Sequence, residues 1–257
     1  MRPPAVAGSF YPRDPGELAA AVDALLAAAS APEDLGPVVA LVAPHAGFVY
    51  SGPVAASAYV CLPPDARRVA ILGPAHFVPL RGAAVPEDDA WRTPLGEVLI
   101  DAELRERALG AGARVDEVPH VPEHSLEVQV PFLQRRVGEE LAILPVAVGA
   151  TRPHEVAELI GALAASAFVV VSTDLSHYHE DATAKRLDRR TAEAVLARDA
   201  EAIGDEDACG VYALRGIVAY ARREDLGVRL LDLRTSADTA GDPWRVVGYG
   251  AFAVTAG

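Results

Sequence analysis

Residues 38–52 read VVALVAPHAGFVYSG. An apolar run of strand length reaches Ala43, Pro44 stops it, and His45 follows at once. Unbroken apolar runs of this length suit strands buried on both faces, as in the interior of a parallel sheet. The pattern returns twice. RRVAILGPAH (67–76) ends on His76, and AFVVVSTDLSH (167–177) runs into Asp174 and then His177. In open α/β sheets, ligands bind in the crevice outside the carboxyl ends of the strands. Three such arrivals predict a site at one sheet edge, with His45, His76, Asp174 and His177 just beyond the strand ends.

Outward from these strands, the chain alternates strand and helix. Helices are expected over 15–29, 53–61, 102–110, 153–166, 181–198 and 208–223, from apolar spacing and from proline near a first turn. Residues 123–138 are expected as one helix kinked at Pro131. Further strands are expected at 141–149, 228–238 and 244–255, and 83–101 as a hairpin or irregular excursion. The expected fold is α/β: a single domain over 1–257, with a largely parallel central sheet flanked by helices. No linker, low-complexity segment or fixed-period repeat interrupts it.

Composition narrows the function. The chain has 257 residues, 51% of them hydrophobic, enough for a sizeable core. Mean hydropathy is +0.18, with no apolar run of membrane-spanning length and no secretory leader at residues 1–18. The formal charge is −13 and Lys185 is the single lysine. The arginines are scattered or paired, so no basic stripe suits a nucleic acid. Two cysteines, Cys61 and Cys209, without a leader point to a reducing cytoplasm and no disulfide framework.

The remaining candidates are fewer. Cys209, in DEDACGVYALRG, falls near the start of an apolar helical pattern, where the helix dipole favours a thiolate. Cys61 reads as a small core hydrophobe. In EHSLEVQVPF, Glu123, His124 and Glu127 would open a helix, with the two carboxylates on one face. That cluster could supply acid/base groups, or hold ligands in place. Gly47 and Gly52 allow close backbone approach, and Phe48 and Tyr50 could wall a pocket. His120 reads as a loop residue, and His154 and His179 as exposed. Two histidines with one anionic ligand can hold a divalent metal and leave positions open. The third ligand could be a carboxylate or Cys209. His177 is then free as acid/base, with Asp174 orienting its ring.

Taken together, GSFYP, PHAGFVYSG, LGPAH, TPLGEV, EHSLEVQVPFL, ILPVAVG and STDLSHY resemble the Memo family, also called AmmeMemoRadiSam system protein B. The motifs occur in order over nearly the whole chain. The resemblance implies a fold similar to the class III extradiol dioxygenases. It implies metal ligands at His45, His76 and Cys209, the last in place of the dioxygenase glutamate, and an acid/base histidine at His177 beside Asp174. Iron is the metal implied first, with copper or zinc as alternatives; redox and signalling roles are described for human members. Prokaryotic members are linked to radical SAM and AMMECR-type proteins, with no settled reaction, and an unknown small molecule is the expected partner here. The sequence departs from the family at GPAHF, where GPSHH is expected. Ala75 and Phe77 replace a hydroxyl and a second imidazole, which implies a drier pocket. Two other readings compete. One is a metal-free thiol hydrolase or transferase using Cys209 and His177. The other is a non-catalytic protein- or peptide-binding module.

Overall fold

The computed structural model describes residues 1–257. The strands are β1 (Val38–Ala43), β2 (Arg68–Pro74), β3 (Ala83–Val85), β4 (Ala90–Thr93), β5 (Gly96–Ile100), β6 (Arg114–Val115), β7 (Ala142–Val148), β8 (Phe168–Ser172), β9 (His177–His179), β10 (Gly227–Thr235) and β11 (Val246–Thr255). The helices are α1 (Pro15–Ala28), α2 (Phe48–Tyr59), α3 (Ala102–Gly110), α4 (Val130–Val137), α5 (Pro153–Ala164), α6 (Asp181–Leu196) and α7 (Val211–Arg223).

The sheet order is β10-β11-β1-β8-β2-β7-β3-β6. Its centre, β1-β8-β2-β7, is parallel throughout. Antiparallel pairs enter toward the margins, at β11 against β1 and β10 and at β3 against β7, while β6 closes its edge parallel to β3. Helices α1, α2 and α4 form one packed group, with α2 against β1, β10 and β11. Helices α3, α5 and α7 form another, against β2 and β8. Cover from both groups explains the unbroken apolar strands. One cluster of 67 buried residues joins sheet and helices.

Residues 83–101 hold the short strand β3 and then a β4–β5 hairpin, as one of the two expectations for this stretch had it. Two expectations change. Helix α2 begins five residues before Pro53, which lies inside it. The proline forfeits a bond to the Val49 carbonyl, and Val49 is 64% exposed, so water can replace that bond. Residues 123–138 are not one kinked helix. A turn carries Glu123 to Leu126, a single 3-10 turn spans Glu127–Gln129, and α4 follows. Pro131 sits in the first turn of α4, where the missing N–H costs no helical bond.

Candidate metal centre

β8 lies between β1 and β2, all running the same way. Their carboxyl ends therefore deliver His45, His76 and Asp174 to one edge, as the sequence pattern implies. The turn before α4 brings His124 to the same place. One ring nitrogen each of His45, His76 and His124 lies within 4.8 Å of the others. The rings of His76 and His124 stack at 4.7 Å, and His45 stands edge-on to both, at 5.3 and 5.5 Å.

Hydrogen bonds fix the tautomer of His45. Ser172 Oγ donates its only proton to the Ser125 carbonyl at 2.7 Å. It must therefore accept from His45 Nδ1–H, 2.9 Å away. Gln129 Nε2 donates to the same oxygen at 2.7 Å, and Gln129 is itself held by the Tyr59 hydroxyl at 2.8 Å. His45 is 1% exposed. Burial, and then neighbouring His76 and His124, push its pKa well below the usual imidazole value. The ring is neutral, with its lone pair on Nε2.

Glu123 holds His76. The carboxylate accepts from the His76 backbone N–H at 2.6 Å and from Nδ1–H at 2.9 Å. It also accepts the backbone N–H groups of His124 and Ser125, each at 2.9 Å. Burial works against ionisation here, but the imidazoles of His124 and His76 and the amides outweigh it. They hold this carboxyl well below the usual range. His76 Nε2 is consequently free of Glu123. His124 Nδ1 lies 3.2 Å from Glu123 Oε1 but off the line of a hydrogen bond, a buried nitrogen without a partner.

Cys209 lies before the start of α7, with Sγ 3.2 Å from His45 Nε2. Since Nε2 carries the lone pair, the thiol donates. Sγ also accepts from the Asp174 N–H at 3.3 Å. The expectation of a dipole-favoured thiolate is not met. Burial, then the charge of Asp174, pushes the thiol up. The nearest imidazole to the sulfur is His45 rather than His177.

Asp174 is 4% exposed and accepts the His45 backbone N–H at 2.7 Å. Burial raises its pKa. It does not orient His177, whose Nδ1–H donates to the Leu175 carbonyl at 2.8 Å. That leaves His177 Nε2 free. Glu127 does not share a face with Glu123. It turns away to Arg2 and Tyr11. Phe48 packs on Tyr11 and Phe132 and lines a cavity of about 660 Å³ between α1 and α2. Tyr50 is 41% exposed. Phe77 is 60% exposed, with its ring 5.9 Å from His124, so it stands at the rim and leaves the interior no drier. Gly52 belongs to α2, where a Cβ would come within 2.8 Å of Leu25 Cδ1. His120 lies in a turn, as expected of a loop residue, but is fully buried, and His154 and His179 are exposed.

Ser172, Gln129 and Phe10 fall inside the quoted motifs but carry no role in the sequence reading, although Phe10 packs on His124 at 4.7 Å. The available signal was polarity out of place: a serine closing VVVS, and a glutamine inside LEVQVPFL.

Fold and site together define an α/β protein with a histidine cluster where adjacent parallel strands end. The family described as Memo-like protein matches residues 2–253. The chain belongs to that family. Proteins named "MEMO1 family protein" are 38% identical over 267 residues in Aquifex aeolicus and 37% over 265 in Archaeoglobus fulgidus, each covering 97% of both chains. One from Desulfurococcus amylolyticus is 32% identical over 276 residues, covering 98% of both. A solved Escherichia coli K12 structure, titled "uncharacterized protein JW3007", superposes with a TM-score of 0.55 at 12% identity. It covers 82% of this chain and 98% of its own, which is a likeness of fold. No helix here is long and apolar enough to cross a membrane.

Proposed function

We propose that this protein binds a metal ion through His45, His76 and His124, with Cys209 as the adjoining sulfur donor, for redox or oxygenase-like chemistry on a small molecule. One observation carries the reading. Ser172 and Glu123 engage Nδ1–H of His45 and His76, so both Nε2 lone pairs point away from these anchors, that of His45 toward the Cys209 thiol, whose proton a bound metal would displace. His124 joins them through a ring nitrogen within 4.8 Å of theirs. Iron suits imidazoles with one sulfur, and copper and zinc are alternatives. When bound, such an ion supplies Lewis acidity and open positions for a substrate oxygen.

The chain's own groups supply the rest. Ser172 and Glu123 hold two rings in one tautomer and orientation. In this reading Asp174, kept less acidic by burial, and His177, with Nε2 free, hold and move protons. Partnership with radical SAM and AMMECR-type proteins belongs to the same reading, and co-purification from the native cell tests it. A Cys209 nucleophile without metal is disfavoured by the raised thiol pKa.

The test is anaerobic loading with Fe(II), Cu(I) or Zn(II), followed by metal analysis. Wild type should hold close to one equivalent, His45→Ala should hold none, and Cys209→Ser should hold less. No bound metal in wild type under any loading would sink the reading.

A further inference from the structure

Arg2 is 2% exposed, and Glu127, its partner at 2.6 Å, is 1% exposed. Buried ion pairs are weak evidence for stability, since apolar residues of similar volume often serve as well. What a guanidinium adds is direction, with five donors in a rigid fork. Here the fork grips one turn. Arg2 Nε donates to the His120 carbonyl at 2.8 Å, one Nη donates to the Glu123 carbonyl at 2.5 Å, and the other takes Glu127. The plane of the fork lies over Trp91, 4.3 Å from the ring centroid. Backbone bonds to Ala90 and Arg92, both at 2.9 Å, fix Arg2 itself.

Glu127 gathers the rest of the segment. It accepts the N–H groups of Ala5 and Val6, at 2.8 and 3.1 Å, and the Tyr11 hydroxyl at 2.5 Å. Between these anchors the segment lays Phe10 on the ring of His124. The turn so gripped carries Glu123, which holds His76, and His124 itself.

We propose that residues 2–11 are a positioning part of the histidine site, with the Arg2–Glu127 pair setting where Glu123 and His124 stand. The inference deepens the metal-binding reading and rests on it for its effect on affinity. The placement of the rings is measurable without metal.

Two variants decide it. Arg2→Gln empties the fork; Tyr11→Phe removes one bond to Glu127 and is the milder test if the first fails to fold. Gly216→Ala serves as control, because it crowds Val156 between α5 and α7 and should cost stability without touching the turn. In metal-free protein, imidazole NMR resonances of His76 and His124 should shift in Arg2→Gln and Tyr11→Phe and stay put in Gly216→Ala. Titrated with Co(II) alone, Arg2→Gln should bind about tenfold more weakly and with an altered visible spectrum, an effect of the size seen when partners of metal ligands are removed. Wild-type resonances and Co(II) affinity in both Arg2 and Tyr11 variants would overturn the proposal. Failure of wild type to take Co(II) would count against the metal reading alone, while the resonances still decide positioning.

Discussion

Four donors converge on the two oxygens of Glu123, and a carboxylate is the one side chain that can accept them all without offering a proton back. Glu123→Gln keeps the shape and puts an NH₂ where an acceptor is needed. We expect tenfold to hundredfold weaker metal binding, measured by competition with a chelator of known affinity. His120 is a separate case. It is fully buried, its Nε2–H donates to the Ala84 carbonyl at 3.1 Å, and its Nδ1 has no partner. Burial lowers its pKa from 6.5 to about 4. Because the folded value is the lower one, the unfolded chain takes up the proton first. The stability His120 contributes is complete above pH 6.5 and is lost as pH falls toward 4, on the order of 3 kcal/mol over the window. Urea denaturation at pH 7, 5.5 and 4.5 should show a shallower loss in His120→Gln than in wild type. The sequence held both residues in view but could not weigh them. A glutamate at a helix start has an ordinary explanation as a dipole partner, and only the folded chain puts His76 against it.

At the scale of elements, glycine marks how closely helices pack. In α7, a Cβ on Gly216 would fall 2.2 Å from Val156 Cγ1 of α5. Gly216→Ala should destabilise by about 1–3 kcal/mol through overpacking. Val156→Ala in the same chain should recover part of that loss, a non-additivity read from paired denaturation curves. The strands were the most legible elements. Val38–Ala43 is bounded where its apolar run begins and ends, because burial on both faces leaves no position for a polar residue. The segment 123–138 was less legible. Its apolar spacing fits a helix throughout, but Glu123 and Glu127 each have a distant partner, one at His76 and the other at Arg2. Those contacts favour a turn before α4, and they come from residues far away in sequence. Pro53 misled in the same way: proline is favoured in a helix's first turn, whereas here exposure at Val49 makes an interior position tolerable.

For the whole molecule, the site is a junction between segments distant in the chain: β1, β2, β8, the turn before α4 and the approach to α7. A ligand bound there should hold the entire fold, because it binds no unfolded state in which these parts are apart. At a free metal concentration about 100 times Kd, the gain is about 2.7 kcal/mol. The thermal midpoint of wild type should therefore rise on loading, and that of His45→Ala or His76→Ala should not. Differential scanning calorimetry with and without Zn(II) measures it. The assembly of these parts was visible in the repeated strand endings. The third imidazole was visible only as a candidate, since its place depends on a turn no periodicity announces.

The position of β11 has a consequence for synthesis. It pairs with β1 on one side and β10 on the other, and its first residues also pair with β9, which begins at His177. Until Val246–Thr255 leaves the ribosome, β1 has an open edge. Some 200 residues separate the two strands, roughly 10 to 40 seconds of translation at typical rates. Once β8 has paired with one side of β1, the other side of this apolar strand still waits open for β11, a template for the same strand of a neighbouring nascent chain. Slow translation late in the message should lower the yield of folded protein more than slow translation early, and a chaperone that shields β1 should restore it.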